Sequence, residues 1–205
     1  MKLYKYTLGE LSVNCYVLVD EPSGDAVAID IGGDEGFLLL EELKKQFKIK
    51  AVLLTHCHFD HIGGVYKFYE RGADVYMSSL DEKGILDGSY NLSSVFGSEV
   101  KPFKLKTALS GGETLKFGEI EVEVISTPGH TAGGLTYKVS DMLFCGDTLF
   151  AGSFGRVDFP SGDISVLKKS AEKLFEFEGC TLFPGHGGQT SVEREKNSNP
   201  IKYYD

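Results

Sequence analysis

The chain has 205 residues, 41% of them hydrophobic, and its 30 acidic and 21 basic side chains leave a formal net charge of −9. That is enough apolar material for one domain with a two-layer core. The negative balance argues against nucleic acid or an anionic membrane as partner, because both need clustered Lys and Arg.

Strands open the chain. Lys2 to Leu8, Asn14 to Val19 and Ala26 to Ile31 are rich in β-formers and separated by turn signals at Gly9-Glu10 and Pro22-Ser23-Gly24. The first of these alternates like a strand and lacks the apolar segment of a signal peptide, so a cytoplasmic location is expected. From Asp34, the apolar residues Phe37, Leu38, Leu40, Leu43 and Phe47 recur at helical spacing. Ala51 to Leu54 is a short apolar run of the kind that forms a buried strand, and it leads into Thr55-His56-Cys57-His58-Phe59-Asp60-His61. Val65 to Glu70 reads as a helix ending near Gly72, and Val75 to Ser78 as a strand. Residues 79 to 112 read as short helices and a loop over the site. Leu115 to Ile125 reads as a hairpin through Gly118. Leu135 to Val139 and Met142 to Cys145 are two further strands, Asp163 to Phe177 is the last long helix, and Cys180 to Phe183 is the last clear strand. Thr190 with Glu193 has the spacing of a capping box before a short final helix. No linker or low-complexity tract divides the chain, so residues 1–205 are expected to form a single domain.

All five histidines fall in post-strand loops. His56, His58 and His61 lie in H-x-H-x-D-H, and His130 and His186 each follow Pro-Gly. Asp147 follows the run that ends at Cys145-Gly146. His56, His130, Asp147 and His186 are thus delivered directly from apolar β-runs, as expected for ligands at one edge of a sheet. Imidazole and carboxylate together suit zinc, iron or manganese. In an extended loop His56, His58 and Asp60 would project to one side and His61 to another. Seven donors, His56, His58, Asp60, His61, His130, Asp147 and His186, exceed one tetrahedral ion and call for two ions with a shared carboxylate, Asp147. The four cysteines, Cys15, Cys57, Cys145 and Cys180, form no C-x-x-C pair and are read as buried thiols rather than a disulfide framework. Cys57 is read as structural or solvent-facing.

The motifs T-H-C-H-F-D-H-I-G-G, T-P-G-H-T-A-G-G, C-G-D-T-L-F and P-G-H-G resemble those of the metallo-β-lactamase fold superfamily. More closely, they are similar to its glyoxalase II-like, or hydroxyacylglutathione hydrolase-like, members of the short single-domain branch. The resemblance extends through Asn14-Cys15-Tyr16-Val17-Leu18 and Asp30-Ile31-Gly32-Gly33. It implies an α/β (α+β) fold, a four-layer αββα sandwich of two mixed β-sheets face to face with helices outside. It also implies that His56, His58 and His130 hold one divalent ion, Asp60, His61 and His186 the other, and that Asp147 bridges them. Zinc is the first expectation for both ions, with iron or manganese also compatible. Asp60 and Asp147 take the catalytic roles, Asp60 orienting a water held between the ions. Asp30 reads equally as a support for the ligands or as a turn cap.

The resemblance implies hydrolysis of a small-molecule acyl-thiol such as a hydroxyacylglutathione. Only Gly187 to Asp205 follows His186, so the helical glutathione-gripping domain of full-length glyoxalase II is not expected here. Arg156 stands near the family's basic substrate contact and is expected either to bind a substrate carboxylate or to pair with Asp158. Tyr90 and Phe96 are possible pocket residues, with ordinary packing as the default. Asp147 stands where many true metallo-β-lactamases place a Cys, which argues against β-lactams as the biological substrate. Two alternatives stay open: a mono-iron oxygenase similar to the persulfide dioxygenases of the same superfamily, and a non-catalytic metal-binding protein. Oligomeric state is not legible.

Overall fold

A computed structural model describes residues 1–33 and 47–204. The helix expected from Asp34 lies outside the described residues apart from Phe47, whose ring packs on Tyr4.

The first sheet has six strands in chain order: β1 (Lys2–Leu8), β2 (Val13–Asp20), β3 (Asp25–Ile29), β4 (Lys48–Leu53), β5 (Asp74–Ser78) and β6 (Thr107–Leu109). β1 to β3 pair antiparallel, and β3 to β6 pair parallel. The second sheet contains β7 (Thr114–Phe117), β8 (Ile120–Ser126), β9 (Leu135–Val139), β10 (Met142–Gly146), β13 (Thr181–Pro184) and β14 (Thr190–Ser191), in the order β14-β13-β10-β9-β8-β7. Only its β10–β13 pair is parallel. Between β10 and β13, β11 (Leu149–Phe150) and β12 (Ser153–Phe154) form a small separate ribbon.

Strand periodicity sorts side chains into layers. On β2, Tyr16 and Leu18 face the second sheet, while Val13, Cys15, Val17 and Val19 face outward into another core. β8 sends Ile120, Val122 and Val124 inward and leaves Glu121 and Glu123 exposed. The inner core is closed by Tyr137, Phe144 and Phe183, each contributing roughly 1.5–3 kcal/mol of burial. Tyr137 is fully buried and its hydroxyl donates to Leu54 O at 2.7 Å, so no polar atom of the ring is stranded.

Helices cover both outer faces. α1 (Phe59–Ile62) and α2 (Val65–Tyr69) place Ile62, Val65 and Phe68 in the core outside the first sheet. α3 (Ser93–Phe96) and a 3₁₀ turn at Glu82–Ile85 occupy the stretch read as short helices and a loop, but Thr107–Leu109 is a strand rather than loop. α4 (Ile164–Leu174) presents Leu167, Ala171 and Leu174, one helical face, to the outside of the second sheet. It begins after Asp163, whose carboxylate accepts the Val166 amide at 3.0 Å. α5 (Val192–Ser198) is capped by Ser191, not Thr190: the Ser191 hydroxyl accepts from Arg194 N, while Thr190 donates to Glu195 at 2.6 Å. The cap shifts by one residue because β14 extends through Ser191 and holds Thr190 in the sheet. The two face-to-face mixed sheets with outer helices match the expected sandwich.

Candidate metal centre

Four strand ends deliver the histidines and Asp147, but from two sheets rather than one. His56 follows β4 of the first sheet, while His130, Asp147 and His186 follow β8, β10 and β13 of the second. β8, β10 and β13 run in one direction, because β9 is antiparallel to both β8 and β10 and β13 is parallel to β10. Bonds between the sheets fix the junction. Leu135 N donates to Thr55 O at 2.8 Å, Asn14 N to Gly185 O at 2.7 Å, and the Tyr16 hydroxyl to Pro184 O at 2.8 Å.

The H-x-H-x-D-H segment changes conformation halfway. His58 is still extended, and its carbonyl then accepts the His61 and Ile62 amides at 2.9 and 3.2 Å, starting α1. Asp60 therefore does not share one face of an extended loop with His56 and His58. The helical turn sends it with His61 toward His186, whose Nε2 lies 3.2 Å from Asp60 Oδ2.

Three groups of donors emerge, each with ligand atoms within 4.8 Å of one another: His56 with His58 and His130, Asp60 with His61 and His186, and His56 with His61 and Asp147. Asp147 lies between the first two trios. Its Oδ1 is 3.5 Å from His61 Nε2, and its Oδ2 is 3.6 Å from both His130 Nε2 and His186 Nε2. Ligands about 2.0–2.1 Å from one tetrahedral ion sit roughly 3.3–3.4 Å apart, close to these separations. The buried side-chain atoms without a hydrogen-bond partner, among the described residues, are His56 Nε2, His58 Nε2 and Asp147 Oδ1. All three belong to this cluster, and orphaned buried polar atoms are costly unless something completes them. The donor set fits divalent cations.

The imidazoles are oriented from behind. His61 Nδ1 faces Asp30 Oδ2 at 2.9 Å, His130 Nδ1 faces Arg156 O at 2.6 Å, and His186 Nδ1 faces Leu11 O at 3.0 Å. Each acceptor takes the Nδ1 proton and leaves Nε2 as a bare lone pair, the tautomer that the bonding network selects. Thr55 does the same for His56: its hydroxyl donates to Asp30 Oδ2 at 2.8 Å and so accepts from His56 Nδ1 at 3.0 Å. His61 Nε2 and His186 Nε2 then face one another at 3.3 Å. Two lone pairs at that distance repel unless a proton or cation lies between them.

The two trios differ in charge. Burial and the neighbouring imidazoles hold His56 well below its ordinary pKa of 6.5, and burial with His130 pushes His58 down to about 2. For His61 burial acts downward too, but Asp60, Asp147 and Asp30 outweigh it and raise the group to about 10. His186 is raised as well: burial opposes, while Asp60 and Asp147 prevail. Burial would lift Asp60, yet His61 and His186 hold it below the usual carboxylate range.

Other residues singled out from the sequence lie around this cluster. The Arg156 guanidinium is engaged by Asp158 in a bidentate pair at 2.7 and 2.6 Å and sits 4.0 Å over the Phe159 ring. Its carbonyl, rather than its side chain, is what touches His130. Cys57 is fully buried and not solvent-facing, because the stretch after β5 covers it. Cys145 is buried with its thiol directed to Leu149 O at 3.4 Å, and burial raises its pKa to about 12. Tyr90 is buried beside Asp81 and Ser161, and Phe96 is half exposed and stacks on Phe59. Asp81, Thr55 and Glu195 are functional neighbours whose roles no sequence motif marks. Asp81 accepts from the chain on both sides of the first trio, and Glu195 accepts the Gly152 amide at 2.9 Å, steadying the ribbon after Asp147. Neither carried a local signal: Glu195 lies in the polar run Ser191-Val192-Glu193-Arg194-Glu195-Lys196-Asn197, and Asp81 in a loop.

A model of the Metallo-beta-lactamase superfamily matches residues 8–186. The chain is similar to the probable metallo-hydrolase YqgX of Bacillus subtilis, 34% identical over 208 residues that cover 98% of this chain and 97% of that protein. It is also similar to the hydroxyacylglutathione hydrolase GloC of Haemophilus influenzae, 31% identical over 195 residues, 92% of each chain. Among solved structures it resembles the BLEG-1 B3 metallo-beta-lactamase, with a TM-score of 0.90 and 32% identity over 98% of this chain and 99% of that one. TTHA1623 in a di-iron-bound form gives a TM-score of 0.83 at 32% identity over 97% and 99% of the chains. ETHE1 from Myxococcus xanthus gives 0.81 at 27% identity over 98% and 84%. With the match running from the first strand to the last histidine, the chain belongs to the metallo-beta-lactamase superfamily.

Proposed function

We propose that this chain is a cytoplasmic dinuclear-metal hydrolase acting on thioesters, a hydroxyacylglutathione or a related acyl-thiol. One observation carries the reading: seven donor side chains converge as two trios, with one oxygen of Asp147 toward His61 and the other toward His130 and His186. Two divalent ions bound there, zinc first with iron or manganese admissible, would supply a water of lowered pKa and a Lewis acid for the carbonyl.

The chain's own residues do the rest. Asp30, the Arg156 carbonyl and the Leu11 carbonyl keep three imidazoles in the tautomer that ligates through Nε2. His186 and Asp60 are the open side of the cluster, with side chains 27% and 14% exposed against 0% for His61, so substrate approaches there. Asp60, beside His186 on that open side, would orient the attacking water. A thiolate leaves without a strong general acid, since thiols have pKa values near 8.5, and a thioester therefore asks nothing of the site that these residues lack. Similarity to a hydroxyacylglutathione hydrolase supports this substrate class.

The test is elemental analysis of freshly purified protein together with an activity panel of thioesters, a persulfide and a β-lactam. Two ions per chain and thiol release from S-lactoylglutathione are expected. A fully loaded protein inert toward every thioester would sink the reading. One iron per chain with oxygen uptake on glutathione persulfide would favour the oxygenase alternative, and turnover of the β-lactam alone would favour the activity named for BLEG-1.

A further inference from the structure

Asp81 belongs to neither trio, yet its side chain is fully buried and its carboxylate joins the two segments that build one of them. Oδ2 accepts the Cys57 amide at 3.1 Å and the Thr131 hydroxyl at 2.8 Å. Oδ1 accepts the Gly133 amide at 2.9 Å, with the Tyr90 hydroxyl at 3.4 Å. Cys57 lies between His56 and His58, and Thr131 directly follows His130. These are the segments that meet where His58 Nδ1 and His130 Nε2 come within 2.9 Å. The clamp continues outward: the Tyr90 hydroxyl is 2.9 Å from Ser161 Oγ, which accepts the Ala132 amide at 3.0 Å.

The geometry points to Asp81 as the positioning residue that prepares His56, His58 and His130 for a divalent ion, without serving Asp60, His61 and His186. It acts through backbone, not through the imidazoles. Cys57 N is held at the centre of the H-C-H step, so both flanking histidines lose freedom before an ion arrives, and the His130 loop is fastened to the same carboxylate. Asp30 has the corresponding place behind the other trio through His61. Asp30 also reaches His56 through Thr55, whereas the bonds of Asp81 go only to the segments that carry His56, His58 and His130. This inference rests on the metal reading above.

The test uses the full chain, stripped of metal and titrated with zinc against a chromophoric chelator. Asp81→Asn keeps the volume but sets an amide NH₂ where a carboxylate oxygen stood, so donor meets donor at Cys57 N or Gly133 N. The expected result is a two-step isotherm in the wild type and a loss of roughly 10–100-fold in one step only, the usual effect of removing an outer partner of a ligand. In a His130→Ala background, Asp81→Asn should leave the affinity of the remaining ion unchanged, because that ion does not use the clamp. Cobalt absorption gives a second readout: D81N should shift the band that His130→Ala abolishes and leave the other in place. If D81N fails to fold, Thr131→Val removes a single donor and should weaken the same step by a smaller factor. Equal losses in both steps, a loss that persists beside His130→Ala, or affinities unchanged in D81N would overturn the assignment. A wild type that binds no divalent ion would sink the metal reading itself, whereas two ions in the wild type and two unweakened in D81N would sink only the role of Asp81.

Discussion

Asp30 Oδ2 lies 2.9 Å from His61 Nδ1, both side chains buried, and Asp30 reaches that position with a backbone φ of +54°. A non-glycine residue in the left-handed region stores roughly 1–3 kcal/mol. Here the strain is offset by bonds from Thr55 N and Thr55 Oγ1 to the same carboxylate, both at 2.8 Å. The turn and the support of the ligand are one device, since the left-handed residue aims its carboxylate at His61 and Thr55 together.

Substitution separates the two contributions. Asp30→Asn tolerates the left-handed backbone but removes the charge behind His61, so zinc affinity at the Asp60, His61 and His186 trio should fall roughly 10–100-fold. Asp30→Ala should lose the same affinity and, in addition, melt at a lower temperature than Asp30→Asn. Isothermal titration and calorimetry on both variants check this; equal zinc affinity in wild type and Asp30→Asn would refute it.

Two glycines of the last motif make opposite demands. A Cβ at Gly185 would run into Asp147 Oδ1 and come within 2.7 Å of His61 Cε1. Gly185→Ala should therefore yield a folded chain that retains one ion per molecule or none. Gly187, at φ +76°, has open space around its Cα. Gly187→Ala should keep both ions and cost about 1 kcal/mol of stability from backbone strain alone. Metal content and thermal melts of the pair are the measurement, and two ions in Gly185→Ala would contradict the geometry.

Arg156 tests the substrate contact. Because His130 is held by the Arg156 carbonyl and not by the guanidinium, Arg156→Gln should leave metal content unchanged. If the side chain leaves Asp158 to meet a substrate carboxylate, KM for S-lactoylglutathione should rise about ten-fold with kcat little altered, as for one lost charged hydrogen bond. An unchanged KM would leave Arg156 only its pairing with Asp158.

Acid should weaken the metal-free protein. His56 and His58 have folded pKa values below the ordinary 6.5, His58 at about 2, so the stability they contribute is present above pH 6.5 and is lost as pH falls. His61, raised to about 10, contributes fully below pH 6.5 and loses that contribution only as pH rises toward 10. His186 shifts in the same direction as His61. Between pH 7.5 and 5 the losses at His56 and His58 exceed the gains at His61 and His186, because more of that window lies below the unfolded pKa of 6.5 than above it. Tm of chelator-treated protein should fall across that window, and the rise in Tm on adding zinc should shrink with it, because protons compete for the same nitrogens. A Tm of stripped protein that stays level or climbs from pH 7.5 to 5 would count against the two trios as described.

The ligand-type residues were legible because metal chemistry concentrates histidine and aspartate at fixed spacings, and all five histidines of this chain fall in segments that follow apolar runs. The layers were legible in the same way: β8 alternates Ile120, Glu121, Val122, Glu123, and a period of two names the buried face. Less was readable where local signals are weak. The start of α1 at His58, which turns Asp60 away from His56, depends on one carbonyl capturing two amides. β6 has only three residues and is a strand because β5 offers it an edge.

What the sequence determined by itself is therefore the inventory: which side chains can hold metal, which runs form strands, and which family the motifs resemble. What only the tertiary structure decided is their grouping. His58 and His130 are 72 positions apart, and nothing in local spacing encodes that β4 lies in one sheet and β8 in the other. The packing of the two sheets decides it, and with it which carboxylate stands behind each histidine, because such partners are chosen by proximity across the fold and not by position along the chain.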